Sequence, residues 1–144
     1  MIPKTTMISV SGDGGVLTIK ETLDKFGDTG DMHIMTYNHK KKETEITQLS
    51  STRSSSSKDF ISIETELPDT NIILTPEQRV YCGDAGAYKR SMDLTTSCKL
   101  LHVSGEEIGI TRIDHIRNKV MESVFSLILA DNTNYFANGV LISC

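Results

Sequence analysis

Val124-Phe125-Ser126-Leu127-Ile128-Leu129-Ala130-Asp131-Asn132-Thr133-Asn134-Tyr135-Phe136-Ala137-Asn138-Gly139-Val140-Leu141-Ile142-Ser143-Cys144 carries the most specific pattern in the sequence. It runs as an apolar strand, a polar turn, and then Tyr-Phe-Ala-Asn-Gly-Val-Leu before it stops. Short β-rich runs of the same kind, bounded by turn residues, recur upstream at 7–10, 33–37, 43–49, 60–66, 71–74, 79–82, 99–103 and 108–116, with 120–129 and 140–142 inside or next to the quoted stretch. About ten short strands in one chain predict a compact all-β domain.

Helical periodicity is confined to Thr18 through Phe26, where Ile19, Leu23 and Phe26 share one face and Gly27 supplies a stop. That pattern predicts one short helix near the N-terminus. The segment from Ser50 to Lys58 holds six serines with Thr52 and Arg53 and has no period, so it reads as a serine-rich loop.

A chain of 144 residues suits one domain, which at this length buries roughly 68–70% of the surface its unfolded form exposes. Net charge −4 gives no field to gather phosphate backbones or anionic lipid, so neither nucleic acid nor membrane is an expected partner. No apolar run approaches the ~20 residues that span a bilayer, and no secretory signal is recognisable. Cys82, Cys98 and Cys144 are odd in number and lack a Cys-x-x-Cys pair, which argues against a disulfide scaffold or a structural zinc site and for a reducing, intracellular setting. His33, His39, His102 and His115 share no metal-ligand spacing, so no metal and no cofactor is expected.

The quoted C-terminal stretch resembles the terminal splicing block of inteins, the self-excising domains of the Hint (hedgehog/intein) family, in which a similar Phe-Ala-Asn-Gly-Val-Leu run precedes one further residue and then His-Asn. Two further blocks carry the resemblance. Ser9-Val10-Ser11-Gly12-Asp13-Gly14 is similar to the block that opens inteins with a Cys or Ser nucleophile. Leu74-Thr75-Pro76-Glu77-Gln78-Arg79-Val80-Tyr81 is similar to the Thr-x-x-His block and the strand after it. The resemblance implies a Hint-like horseshoe over residues 9–144, behind an N-terminal extension of residues 1–8. It also implies a set of vestigial splicing positions at Ser9, Thr75, Gln78, Ser126, Thr133, Ser143 and Cys144.

Most of those positions depart from what the family's chemistry requires. Gln78 stands where the resemblance implies His, and an amide cannot exchange a proton near neutral pH as imidazole does. Ser126 and Thr133 fall where the family has Asp and His. At the end, Ser143-Cys144 replaces His-Asn. An asparagine cuts its own peptide bond by closing a five-membered ring through its side-chain amide nitrogen, whereas a cysteine sulfur would have to close a four-membered one.

The expected function is therefore that of a catalytically degenerate Hint domain with no catalytic residue, kept as a structural or protein-interaction module of a larger assembly. A phage particle or mobile element is the leading context. Other protein subunits are the expected partners, through the segments from Met1 to Met7 and from Ser50 to Lys58. The alternative is an autoprocessing domain that retains slow N-terminal cleavage between Ile8 and Ser9.

Overall fold

The computed structural model describes residues 1–10, 15–131 and 133–144. Its strands in chain order are β1 (Ile2–Pro3), β2 (Met7–Ser9), β3 (Val16–Thr18), β4 (His33–Asn38), β5 (Glu43–Thr65), β6 (Ile72–Leu74), β7 (Arg79–Cys82), β8 (Ala87–Arg90), β9 (Lys99–Leu101), β10 (Glu107–Leu129), β11 (Asn134–Ala137) and β12 (Val140–Ser143). One helix, α1 (Ile19–Thr29), follows β3. All described strand pairings are antiparallel and join the strands into a single open sheet in the order β3-β2-β11-β12-β7-β9-β10-β5-β4, with β1 on β10, β6 on β5 and β8 on β7. The all-β horseshoe read from the sequence is the fold observed.

The sheet curls so that its ends meet. Val10 bridges Ile34, and the buried Asn134 at the start of β11 accepts from Tyr37 N–H at 2.8 Å while its own amide donates to Tyr37 C=O at 3.0 Å. Inside the curl lies one apolar core drawn from nearly every strand, with Ile2, Ile8, Ile34, Ile63, Leu100, Leu127, Tyr135 and Ile142 among its fully buried members. The Tyr-Phe-Ala-Asn-Gly-Val-Leu run forms the tight β11–β12 hairpin, whose turn sets Asn138 and Gly139 at φ 48° and 78°. Asn and Gly tolerate that left-handed region best.

The helix is longer than its apolar spacing suggested. Gly27 lies within it, and the chain turns out at Gly30, φ 66°, whose N–H bonds Phe26 C=O at 2.8 Å. Its start is fixed by a capping box in which Thr18 and Glu21 satisfy each other's backbone N–H groups.

Three expectations are corrected. Residues 1–8 are no extension: Ile2 and Ile8 are fully buried, β1 pairs with β10, and β2 sits between β3 and β11. Ile2, Ile8 and Val10 are carried into the core by the pairings of β1 and β2 and by the Val10–Ile34 bridge. The serine-rich segment is no loop, because it lies wholly within β5 and pairs with β10 from Ser51 opposite Ile128 to Ser57 opposite Glu122. Ser has weak β preference, and here the apolar partner strand, with Val124 and Leu127 buried, overrides it. Finally, 43–49 and 60–66, and likewise 108–116 and 120–129, merge into two 23-residue strands. They bend together where β10 carries four residues, Asn118 to Met121, between the pairs Arg117–Asp59 and Glu122–Ser57, against one on β5, leaving Val120 and Met121 exposed. Residues 11–14 of the expected opening block lie outside the described residues.

Candidate functional site

A cleft of about 540 Å³ opens at one end of the core and is lined by Met1, Arg53, Ser55, Glu77, Gln78, Arg79, Ser126, Ile128, Ser143 and Cys144. Its floor is the turn between β6 and β7. There Gln78 N–H bonds Thr75 C=O at 3.1 Å, and Ser91 clamps the turn from outside, its hydroxyl donating to Thr75 and Pro76 C=O at 2.8 and 3.0 Å and its N–H to Gln78 C=O at 2.8 Å. Thr75, Gln78 and Ser91 are all buried, so each polar group needs the partner it has.

Both ends of the chain are held on this turn. The Met1 nitrogen donates to Thr75 Oγ1 at 2.9 Å and to Gln78 Oε1 at 2.6 Å. Met1 C=O accepts from Thr75 N–H at 3.0 Å and from its hydroxyl at 3.2 Å. The Gln78 amide nitrogen donates to Ser143 C=O at 2.8 Å and to Arg79 C=O at 3.0 Å. Cys144 N–H in turn bonds Thr133 C=O at 2.7 Å.

Of the seven sequence-predicted positions, Thr75, Gln78, Ser126, Ser143 and Cys144 therefore meet, and Thr133 reaches them through its backbone. Ser9 does not. It is 4% exposed in β2, opposite Val16, with neighbouring Ile8 opposite Ala137, and it does not line the cleft. The residue beside Thr75 and Gln78 is Met1. Ser9 is a strand residue on β2, and the Gly12 of its spacing lies outside the described residues. No signal in the sequence marks Met1; its hydrogen bonds to Thr75 and Gln78 place the first residue, not the ninth, against the floor.

The chemistry of this arrangement is limited by what each atom can do. Met1 carries a thioether, which is neither a hydroxyl nor a thiol nucleophile. The Met1 nitrogen is the atom that would have to leave if a peptide bond preceding it were cut, and a leaving nitrogen needs a proton. Gln78 presents an acceptor oxygen to it. No side chain lining the cleft is an imidazole. The amine of Met1 is lowered to about 6 by burial, opposed by the Glu77 carboxylate. Burial also pushes the Cys144 thiol up to about 11.

That last shift gives a direct test. Alkylation of Cys144 by iodoacetamide near pH 8 is expected to run at least about tenfold slower than that of an unperturbed peptide thiol, because the thiolate is the reacting form. Labelling as fast as, or faster than, the free thiol would show an activated cysteine and contradict this description of the site.

Sequence reasoning also missed two clusters outside the cleft. Cys82 and Cys98 form a disulfide, Cα–Cα 5.6 Å, both buried, with Asp84 accepting from Lys99 N–H beside them at 3.0 Å. The odd cysteine count hid the pair, since only strand neighbourhood brings positions 16 apart together; with two of the three sulfurs bonded, the count no longer speaks for a reducing setting. These three residues are the one group of three or more metal-capable side chains found among the described residues, and the bond occupies both sulfurs. His39 packs edge-on to Tyr37 and Tyr88 and tilted against Tyr81, with centroids 5.1, 5.7 and 4.6 Å away, and its Nε2 lies 2.8 Å from Tyr88 Oη. Burial lowers its pKa, and burial also raises Tyr88 to about 12. It is a satisfied histidine.

No protein-family model matches the sequence, and no curated protein matches it significantly. Solved structures do match over the whole chain. A bacterial intein-like domain from Clostridium thermocellum superposes with TM-score 0.85 at 16% identity, covering 99% of this chain and 97% of that one. The DnaB intein from Synechocystis sp. PCC 6803 gives TM-score 0.81 at 23% identity over 99% and 96%. The transcription factor IIB Mvu mini-intein gives 0.79 at 12% identity over 100% of both chains.

Proposed function

Since the chain has the intein-like Hint fold, we propose that it is a splicing-incompetent member of that architecture, retained as a protein-interaction module of a larger assembly, with a phage particle the leading context. The observation that carries this reading is the pairing of Met1 with Thr75 and Gln78 at one side of the cleft and Ser143-Cys144 at the other. The frame for joining two chain ends is assembled, while each position that would do chemistry holds a group unsuited to it. The first lacks a nucleophile, the second lacks a proton donor toward the leaving nitrogen, and the last cannot close a five-membered ring.

The rival reading, slow cleavage between Ile8 and Ser9, draws no support from the geometry, because that peptide bond lies inside a paired and buried strand. A fusion with flanking peptides on both sides tests the proposal. After days in thiol, mass spectrometry is expected to find only the full-length fusion. A ligated pair of flanks, or either flank released, would overturn it.

A further inference from the structure

The open edge of β5 beside the cleft carries an inference about the partner. β4 covers that edge over Glu43 to Gln48, Leu49 N–H bonds Met32 C=O at 2.7 Å, and β6 covers it again over Ile61 to Ile63. At Asp59 the strand satisfies itself, since Ser57 Oγ donates to Asp59 C=O at 2.8 Å and accepts its N–H at 3.2 Å. Between these, β10 pairs Ser51 to Ser57 on one side, Ser50 falling at a register shift, and nothing among the described residues pairs the other edge from Ser50 to Ser56. Seven residues of free edge span roughly 24 Å at about 3.4 Å each, enough for a short added strand.

Every residue of this edge is exposed, and six of the seven side chains are Ser or Thr, too small to block an approaching backbone. Arg53 is the exception. It lines the cleft with Ser55, on the face where Arg79 also stands, and neither arginine forms an ion pair among the described residues. The carboxylate of Glu77 shares the cleft but does not approach either within ion-pair distance.

We propose that this edge binds an extended acidic peptide segment of another protein, which adds as a strand beside Ser50 to Ser56 and sets carboxylates against Arg53 and Arg79. Backbone pairing supplies the contact and the arginines its selectivity. A second copy of the chain is the poorer occupant: Arg53 is the centre of the seven-residue edge, so a two-fold antiparallel pairing would put it opposite Arg53 of the other copy, and directly opposed like charges destabilise a sheet. The proposal rests on the interaction-module reading and names its partner's chemistry.

The probe is a labelled ten-residue peptide alternating Glu with Thr or Val, beside the same peptide with Lys for Glu. The acidic peptide is expected to bind and the Lys peptide to bind at least about tenfold more weakly. Hydrogen exchange at amides within Ser50 to Ser56 should slow on binding. Arg53→Glu with Arg79→Glu, both exposed and outside the fold's ion pairs, should weaken binding at least about tenfold without changing the melting temperature. No binding at millimolar peptide, equal binding of both peptides, protection elsewhere, or a dimer forming through this edge in sedimentation would each overturn the proposal. Binding does not require an uncut chain, so a chain that cleaved yet bound would refute the splicing-incompetent reading alone.

Discussion

A variant with Met1→Cys and Gln78→His, placed behind an upstream fusion partner, is expected to release that partner in the presence of a thiol. The parent chain and Gln78→His alone should release none. The first change puts a thiol next to the nitrogen that Thr75 and Gln78 hold at 2.9 and 2.6 Å, so the attacking and leaving atoms are positioned before any base is supplied. The second puts a group that can give a proton where the amide oxygen now only accepts one. General acid–base help of this kind is worth on the order of 10²–10⁴ in rate, so Met1→Cys alone should cleave slower than the double variant by about that factor. Neither should splice, because Cys144 still cannot close the ring that frees the C-terminal side. If release followed instead from a change at Ser9, with Met1 intact, the assignment of the nucleophile's position to residue 1 would fail.

Replacing Cys82 and Cys98 together by Ala is expected to lower the unfolding free energy by about 3 kcal/mol, the loop-closure value for a crosslink across 16 residues. For a chain of this size that corresponds to a melting temperature lower by roughly 10 °C, and reductant should reproduce it on the parent chain. The crosslink holds the start of β9 to the end of β7, and the excursion between them contains Ser91, whose hydroxyl and N–H clamp the Thr75-to-Gln78 turn. The loss should therefore extend to faster hydrogen exchange at Gln78. A melting temperature indifferent to reductant would mean that the two sulfurs are not bonded.

What the sequence disclosed follows from how local each feature is. Of the β11–β12 hairpin only β12 was legible, as 140–142, while β11 (Asn134–Ala137) was not read as a strand because its polar first residue and the Asn-Gly turn after it break the apolar run; β7 came out at Arg79–Cys82 as read because its apolar residues alternate. The serine segment was not legible: nothing in Ser-Ser-Thr-Arg-Ser-Ser-Ser-Ser asks for a strand, and its conformation is imposed by β10, about 70 residues away in sequence for a pair such as Arg53 and Ser126. The residues that meet at the cleft divide the same way. Thr75 with Gln78, and Ser143 with Cys144, sit in blocks whose spacing is preserved in the chain, so they were found. Met1 was missed because a methionine carries no chemical signature. Its place is set by Ile2 packing into the core and by four hydrogen bonds to the turn from Thr75 to Gln78.

Cysteine pairing illustrates the opposite failure. Counting three cysteines gave a parity argument, yet a pair is made by distance, and Cys82 and Cys98 become neighbours only once β9 pairs with β7 at Cys82 and Leu100. Cys144 lies outside that disulfide.

The cleft is proposed to hold both ends of the chain without acting on either. The deciding measurement is the intact mass of the chain carrying a flanking peptide at each end, after days with hydroxylamine, which intercepts esters and thioesters. The account predicts one unchanged mass. Release of either flank, as a hydroxamate or as a free peptide, or a fragment beginning at Ser9, would contradict it.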